Sequence, residues 1–442
     1  MQRSEKISCF LEAAKYASFS MLGSLGLSCY ILADTYFISK GLGADGLAAL
    51  NLAIPIYSFI HGCGLMIGMG GGTKYSLHKS AGSRKETDRI FTSAVLLSLA
   101  AAVLFAGAGM FFSGSIASLL GADARVYDMT EIYLRVILLF SPLFLMNNVM
   151  LCFVRNDGAP QLSMRAMLGG SLSNILLDYV LIFPLHMGIF GAVLATGLAP
   201  AVSLLLLSPH FLKKKHGFHL AAKSLSGRQI CGILSCGIPS LVTELSSGIV
   251  IIIFNMIILN LQGNVGVAAY GVIANLSLVV LSIYTGMAQG IQPVLSRHYG
   301  AGRRGHALAV LSHAAAAVLL LSALLYASVF FGAEQISSIF NKDRNPMLQE
   351  TASAGLRMYF TACPFAGLNI VISTFFTSCA HPLPANMISM LRGFILIIPL
   401  AFLFAAAFQM TGVWCAFPCT ELLVSVLALI LFVRFYRASG TA

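Results

Sequence analysis

Residues 68–82 read GMGGGTKYSLHKSAG, and residues 286–300 read GMAQGIQPVLSRHYG. The stretches lie 218 residues apart and share a Gly-Met start, glycines at the fifth and last positions, a leucine and a basic residue. Residues 46–49 match residues 266–269 at an offset of 220. The series continues at offsets of 222 to 224 with Pro142 and Pro364, Pro160 and Pro382, and Gly188 and Gly412. The slow drift indicates small insertions between two copies of one structural unit.

The composition indicates that both copies lie in a membrane. Of 442 residues, 58% are hydrophobic and only 10% are charged, whereas soluble domains carry about 25% charged residues. Twelve apolar runs are close to the ~20 residues that cross a bilayer as a helix. They cover residues 14–38, 47–72, 90–111, 132–154, 165–183, 188–210, 232–259, 267–294, 307–331, 355–377, 385–407 and 412–433. This pattern predicts an all-α polytopic membrane protein and excludes a soluble enzyme with one anchor.

The basic residues predict the orientation in the membrane. Twelve spans place both termini on one side, and a cytoplasmic N-terminus puts 21 of the 27 lysines and arginines inside. The other six are Lys40, Arg125, Arg135, Lys342, Arg344 and Arg357. This imbalance follows the positive-inside rule. It also explains the net charge of +11 without a nucleic-acid partner, because loops that face anionic lipid are expected to be basic.

The repeat divides the chain into two halves of six helices each. An even number gives both halves the same topology, so that a pseudo-two-fold axis along the membrane normal relates the bundles. We expect an N-terminal lobe at 1–210, a cytoplasmic linker at 211–229 with the run Lys213-Lys214-Lys215, and a C-terminal lobe at 230–442. Two facing bundles are typical of a transporter rather than of a channel.

Carboxylates inside the predicted spans are functional-site candidates, because an isolated charge there costs several kcal/mol. At ~1.5 Å per residue, Asp34 and Asp178 both lie ~9 Å below the outer boundary. Asn174 is one turn from Asp178 on the same helix face, and Thr196 lies at ~12 Å on the next helix. Four oxygen-bearing side chains in one layer suit a proton or a small hard cation. The alternative is that the two aspartates are satisfied structural groups near the outer interface.

Two glutamates lie deeper in their spans. Glu244 is interpreted as a cavity-lining anion for a cationic substrate, with a buried structural partner as the alternative, and for Glu421 the two roles stay equally open. Arg135, Arg357 and Arg392 lie near helix ends, where we expect them to snorkel to the interface. Buried acids without buried bases favour organic cations as substrates.

The second half lacks the first-half cluster. At the repeat offset Asp34 falls on Asn255, and Leu396 and Leu400 take the places of the fifth-helix asparagine and aspartate. This asymmetry indicates that function, rather than bundle stability, maintains the first-half cluster.

Other motifs carry little weight. Residues 41–46, GLGADG, fit G-x-G-x-x-G but follow a membrane helix rather than a strand, so we expect no nucleotide site. H-E-x-x-H, Walker A and G-x-S-x-G do not occur, so we expect neither an enzyme nor a cofactor, and no metal beyond a coupling ion. The ten cysteines lie mostly in apolar runs and are interpreted as small buried hydrophobes.

Several short motifs are distributed along nearly the whole chain: Asp34-Thr35, the run 174–178 (NILLD), the run 191–196 (GAVLAT), Glu244, and Gln292-Pro293. Together they resemble the multidrug and toxic compound extrusion (MATE) family, most closely its bacterial MepA-like branch. The resemblance implies two six-helix lobes in a V shape and rocker-switch alternating access. It also implies export of cationic amphiphiles against inward Na⁺ or H⁺.

The resemblance implies a coupling-ion site at Asp34, Asn174, Asp178 and Thr196, the same layer that depth counting finds. We expect the substrate cavity to include Glu244, Asn255, Gln289, Asn369 and Glu421. Asn369 stands where some members of the family carry a tenth-helix aspartate, so we do not expect a second-lobe ion site built on it.

The leading hypothesis is therefore a monomeric antiporter of the bacterial inner membrane, with small organic cations or drugs and membrane lipid as partners. The choice between Na⁺ and H⁺ stays open. An alternative is a lipid-linked oligosaccharide flippase of the same superfamily, which would need a cationic cavity for phosphate. An intramembrane enzyme is disfavoured by the missing motifs.

Overall fold

The computed structural model describes residues 3–212, 216–221, 226–341 and 345–440. Lys213-Lys214-Lys215, Lys342 and Arg344, which entered the orientation argument, lie outside the described residues. Within these ranges the regular structure is helical, with no strand. The helices are α1 Arg3–Ser80, α2 Arg84–Leu119, α3 Tyr127–Leu139, α4 Ser141–Asn156, α5 Pro160–Ile182, α6 Gly188–Leu212, α7 Gly227–Gly300, α8 Arg304–Phe340, α9 Pro346–Tyr359, α10 Cys363–Ser378, α11 Pro382–Met390 and α12 Ile397–Gly440. A 3₁₀ turn at Phe360–Ala362 and a π turn at Leu391–Ile395 join neighbouring helices.

The described helices account for twelve membrane crossings. Seven helical segments are long and apolar enough to cross a membrane, and α3 with α4, bent by 47°, makes an eighth. Three of the seven, of 72, 74 and 56 residues, far exceed the ~20 residues of one span, so each holds two. The remaining span is α5, whose 23 residues include Arg165 and Asp178. The prediction of an all-α fold with six spans in each half is confirmed.

Backbone conformation repeats between the halves as the sequence does. α1 leaves helical geometry at Gly43 (φ 68°, ψ −154°) and α7 at Gly263 (φ 63°, ψ −154°), 220 residues later. Gly82 and Gly302, also 220 apart, both have positive φ. Such angles favour glycine, because a Cβ atom meets the backbone there. Gly43 thus explains the G-x-G-x-x-G motif, which surrounds the break between the first two spans.

The two lobes contact each other through glycines. A Cβ atom on Gly70 would lie 1.9 Å from the carbonyl oxygen of Ile233, and one on Gly237 would lie 1.9 Å from that of Met66. No side chain fits at such distances, so these positions let α1 and α7 lie backbone against backbone. The contacts belong to the end of the molecule that the basic residues predict to be cytoplasmic.

The outer surface is apolar, as lipid requires. Val103, Leu104 and Phe111 on α2 are each more than 70% exposed. The cysteines only partly follow the prediction that they are small buried hydrophobes: six are buried, Cys415 and Cys419 are half-buried, and Cys29 and Cys231 are exposed. The exposed pair, Cys29 on α1 and Cys231 on α7, does not line the cavity between the lobes and does not fit the prediction of burial.

Candidate functional site

A cavity of about 380 Å³ lies between the lobes, within the range of small-molecule sites. The first lobe contributes Tyr30, Asp34 and Thr196 to its wall, and the second lobe contributes Glu244 and Glu421. Most of the remaining lining side chains are aliphatic, aromatic or hydroxyl-bearing. The cavity therefore combines an apolar wall with a few carboxylates.

The four residues predicted to hold the coupling ion are all buried. Asp34 is 6% exposed, Thr196 is 4% exposed, and Asn174 and Asp178 are fully buried. Asp34 and Thr196 line the cavity, whereas Asn174 and Asp178 lie behind them. An ion would thus reach the inner pair from the cavity, past Asp34 and Thr196.

Asn174 connects two members of this group. With its amide nitrogen turned toward α5, Nδ2 donates to Asp178 Oδ2 at 3.0 Å and Oδ1 accepts from the Thr196 N–H at 3.3 Å. In the opposite orientation Nδ2 donates to Thr196 Oγ1 at 3.3 Å. The hydrogen-bond network favours the first orientation, because it gives both the amide nitrogen and the amide oxygen of Asn174 a partner.

The carboxyl groups of Asp34 and Asp178 are neighbours in this buried layer. Two bare carboxylates repel each other in a buried site, so their arrangement favours a proton or a cation between them. Asp34 Oδ1 and Asp178 Oδ1 have no hydrogen-bond partner among the described residues. These two oxygens are ligand atoms of the kind that a hard cation prefers.

Three tyrosines surround this layer, and the sequence analysis did not single them out. Tyr30 lies one helical turn before Asp34, and its hydroxyl is 2.6 Å from the hydroxyl of Tyr57. Tyr133 also lines the cavity beside Thr196. The i, i+4 spacing of Tyr30 and Asp34 was a usable signal, but the partners on other spans were not visible in the sequence.

Glu244 is the most accessible acid of the cavity. Its side chain is 32% exposed, and Oε2 lies 3.4 Å from Nδ1 of His61. Gln289, another predicted cavity residue, also lines the wall. Asn255, which we expected in the substrate cavity, is half-buried and does not line the cavity in this structure.

Glu421 has a partner that the sequence analysis missed. Arg392 donates to Glu421 Oε1 from Nε at 3.1 Å and from Nη2 at 2.8 Å. Their side chains are 11% and 1% exposed. Asn369 Nδ2 donates to Glu421 Oε2 at 2.7 Å, and it lies behind the cavity wall rather than on it. The carboxylate of Glu421 is therefore neutralised and held in place.

The expectation that Arg392 snorkels to the interface was wrong. Its helical span begins at Pro382, ten residues earlier, and Arg392 sits in the π turn that follows α11. Such turns are frequent at functional sites. Arg155, at the end of α4, is also 98% buried and lines the cavity. Two bases thus accompany the buried acids, contrary to the sequence analysis.

Arg135 and Arg357, by contrast, have side chains 52% and 41% exposed and pair with Glu131 and Glu334. Their positions agree with the expectation that they lie at the interface.

A second polar cluster lies outside the spans, around Asp157 in the turn between α4 and α5. The side chain is 1% exposed and accepts hydrogen bonds from Lys79, Tyr75 Oη at 2.5 Å, His210 Nε2 at 2.9 Å and the Gly217 N–H at 2.8 Å. Burial raises the pKa of Asp157, but these hydrogen bonds outweigh burial and lower the pKa to about 2. The cluster joins the segment 216–221 to the first lobe.

Comparison with known proteins identifies relatives over the whole chain. The family model described as MatE matches residues 20–180 and again residues 239–403. The multidrug export proteins MepA of Staphylococcus saprophyticus and of Staphylococcus aureus are each 24% identical over 429 residues, covering 97% of this chain and 94% of the relative.

Two solved structures show the same fold. A crystal structure of MATE in complex with MaL6 superposes with a TM-score of 0.92 at 21% identity, covering all of both chains. A MOP superfamily transporter from Pyrococcus furiosus, described as having a binding pocket of reverse polarity, superposes with a TM-score of 0.90 at 22% identity, covering 98% of this chain and 97% of that one. Since the family model matches well over half of the sequence, the chain belongs to the MatE family, in its MepA-like branch.

Proposed function

We propose that this protein is a secondary active multidrug efflux transporter, which exports cationic amphiphilic compounds by alternating access in antiport with Na⁺ or H⁺. The observation that carries the proposal is the shared cavity. Glu244, a carboxylate for the substrate, and Asp34, the entrance to the buried ion layer, line the same space. The relatives named as multidrug export proteins add support and favour transport over catalysis.

The substrate class follows from the cavity wall. Ile54, Val250 and Phe417 contribute apolar surface, which suits the hydrophobic body of an amphiphile. Tyr57 and Tyr270 add aromatic faces, which attract organic cations. The partly exposed carboxylate of Glu244 provides a charge for the cationic end. Such a wall, with little fixed hydrogen bonding, tolerates substrates of several shapes.

Coupling follows from the Asp34–Asp178 pair. A proton or Na⁺ held there compensates charge in a low-dielectric layer, and its release into the cavity leaves a carboxylate that must be compensated again. One inward monovalent charge is worth ~2.3 kcal/mol per 100 mV. That free energy supports a ~50-fold gradient of a substrate without net charge, whereas one-for-one exchange with a monovalent organic cation is electrically neutral and is driven by the ion gradient alone.

Alternating access requires the lobes to separate where they now touch. Besides the glycine contacts, Gln292 of α7 bridges to the first lobe. Its Nε2 donates to Thr73 Oγ1 at 3.0 Å and to Asn156 Oδ1 at 3.2 Å, and its Oε1 accepts from Asn156 Nδ2 at 3.0 Å. Hydrogen bonds of this kind exchange with water at a modest net cost of about 1 kcal/mol each. The interface can therefore open and close reversibly.

The test is ethidium efflux from proteoliposomes under an imposed Na⁺ gradient, an imposed pH gradient, or neither. We expect efflux above the no-gradient rate with one of the two ions. Equal rates in all three conditions would contradict ion coupling. Wild-type binding of ethidium, measured separately by fluorescence polarisation, distinguishes a failure of coupling from a failure to recognise cations.

The alternative, a lipid-linked oligosaccharide flippase, is favoured by one specific observation. Arg155 and Arg392 line the cavity, although the sequence analysis expected no base there. Arg392, however, is neutralised by Glu421, which leaves a single uncompensated guanidinium for a phosphate. Competition of ethidium binding by a polyprenyl phosphate would support this alternative, and displacement only by organic cations would exclude it.

A further inference from the structure

Arg155 lines the cavity between the lobes at the C-terminal end of α4. Phe144, Asn148, Leu151 and Arg155 follow one another at spacings of four, three and four, so they share one face of α4, and all four line the cavity. Arg155 is the last of the series and is only 2% exposed. The face therefore leads from an aromatic ring at one end to a buried guanidinium at the other.

The hydrogen-bonding capacity of this guanidinium is largely unused. Nη1 donates to Gln289 Oε1 at 2.9 Å. Nη2 faces only the weak acceptors Cys152 Sγ at 3.4 Å and Met69 Sδ at 3.7 Å, and Nε has no partner among the described residues. Nε and Nη2 lie on the same edge of the guanidinium. That edge is the one that accepts a carboxylate through two parallel hydrogen bonds.

The positive charge is also uncompensated. Within the described residues no carboxylate lies within 4 Å of Arg155, whereas Arg392, the other cavity arginine, is paired with Glu421. The C-terminal end of α4 contributes a partial negative charge of about half an elementary charge, which leaves a net positive site. A buried charge without a counter-charge is costly, so an anion that reaches it from the cavity is strongly favoured.

We propose that Arg155 is an anion subsite of the substrate cavity, which binds the carboxylate of an amphiphile through the Nε and Nη2 edge. The proposal rests on the proposed export function and extends it to molecules that carry a carboxylate together with a cationic group. Met69 Sδ covers the free edge, and its flexible thioether can move aside. The cationic group then faces Glu244 while the carboxylate faces Arg155.

Two dyes isolate the contribution of the carboxylate. Rhodamine 110 carries a free carboxylate, and rhodamine 123 is its methyl ester, so the fluorophore and its cationic charge are the same. Binding of each to the purified full-length protein is measured by fluorescence polarisation, and the readout is the ratio of the two dissociation constants. Arg155→Gln should shift this ratio against rhodamine 110 by about tenfold or more, since hydrogen bonds to charged groups are lost.

Two further variants separate an anion subsite from a structural role. Arg155→Lys keeps the charge but not the two-bond edge, and it should shift the ratio by less than Arg155→Gln. Arg357→Gln removes an arginine that lies outside the cavity and pairs with Glu334, and it should leave the ratio within about twofold. If Arg155→Gln does not fold, the proposal is still tested, because Arg155→Lys alone must then shift the ratio of dissociation constants.

The proposal is overturned if the Arg155 variants that fold weaken binding of both dyes equally, or if Arg357→Gln shifts the ratio as much as they do. Failure of the wild-type protein to bind rhodamine 123 would instead contradict the proposed export of cations. The two failures are therefore distinguishable.

Discussion

Arg392 donates two hydrogen bonds to one oxygen of Glu421, at 3.1 and 2.8 Å, inside the second lobe and at the cavity wall. The first lobe instead presents two carboxyls, Asp34 and Asp178, without a basic partner. Under the proposed function the two halves thus compensate a buried acid differently, one with a permanent guanidinium and the other with an exchangeable ion.

Removing one partner of the second-lobe pair should destabilise the protein. Arg392→Ala leaves Glu421 buried and unpaired, and we expect a loss of about 3–5 kcal/mol, the usual effect of breaking a buried ion pair. Arg357→Ala, whose partner Glu334 is exposed, should lose at most about 1 kcal/mol. Thermal unfolding in detergent measures both, and equal shifts in Tm would contradict the buried-pair interpretation.

The ion layer is tested by Asp34→Asn and Asp178→Asn. Each removes the charge that a proton or cation compensates, so each should abolish gradient-driven efflux while folded protein and drug binding remain. Asn174→Ala should act more gently, raising the Na⁺ concentration required if Na⁺ is the ion. Asp45→Asn is a matched control, because Asp45 is an exposed acid paired with Arg125. Normal gradient-driven efflux by both variants would exclude the proposed site.

Glu244→Gln should discriminate between substrate classes. The change keeps the shape of the side chain but removes its charge, so export of cationic drugs should fall about tenfold, equivalent to ~1.4 kcal/mol, while export of neutral drugs changes little. Glu334→Gln, at a side chain 69% exposed, provides the control. Transport assays with one cationic and one neutral substrate are sufficient, and an equal loss for both would indicate a structural role.

The contact between the lobes is tested at Gly237. Alanine there would place its Cβ 1.9 Å from the Met66 carbonyl oxygen, so the lobes could no longer close, and we expect efflux to fall by at least about tenfold. Gly271→Ala is the control within the same helix, because no atom lies within 4 Å of the added Cβ. Replacing glycine by alanine in a helix raises helix propensity by about 1 kcal/mol in both variants. The two variants therefore differ only in the contact between the added Cβ and the other lobe. Normal efflux by Gly237→Ala would show that closure at this point is dispensable.

Acid should weaken the Asp157 cluster. The pKa of Asp157 is lowered from 3.8 to about 2, so the folded state favours the ionised form. The resulting stabilisation is fully present above about pH 4 and is lost as the pH falls toward 2. It amounts to about 2 kcal/mol. Asp157→Asn should remove this part of the pH dependence, as measured by unfolding between pH 6 and pH 2, and parallel profiles for variant and wild type would contradict it.

The number of spans could be predicted from the sequence because long apolar runs are a local signal. A common depth for Asp34 and Asp178 could be predicted because helix rise is uniform, and the two carboxyl groups lie near each other in the structure. Arg392 was misplaced because the short helix α11 and the following π turn start the span three residues earlier than its apolar run. Its pairing with Glu421, 29 residues away, depends on how two spans pack, which periodicity does not reveal.

Arg155 illustrates a different limit. It is one of the 21 basic residues that the orientation argument places on the cytoplasmic side, but Gln289 of the opposite lobe and Met69 of α1 contact its guanidinium. Burial of this residue is a property of the contact between the lobes. Asn255 occupies the repeat position of Asp34, but it does not line the cavity, so correspondence in the repeat does not ensure the same surroundings.

The guanidinium of Arg392 has an electrical consequence for the whole cycle. Because Arg392 and Glu421 together carry no net charge, a rotation of the second lobe moves the pair through the membrane potential without performing electrical work. Any current recorded during turnover then originates in the remaining charges at the cavity wall or behind it, which are Asp34, Asp178, Arg155 and Glu244, and in the substrate. With a substrate that carries no net charge, the change in voltage dependence caused by Asp34→Asn or Asp178→Asn measures the contribution of each aspartate.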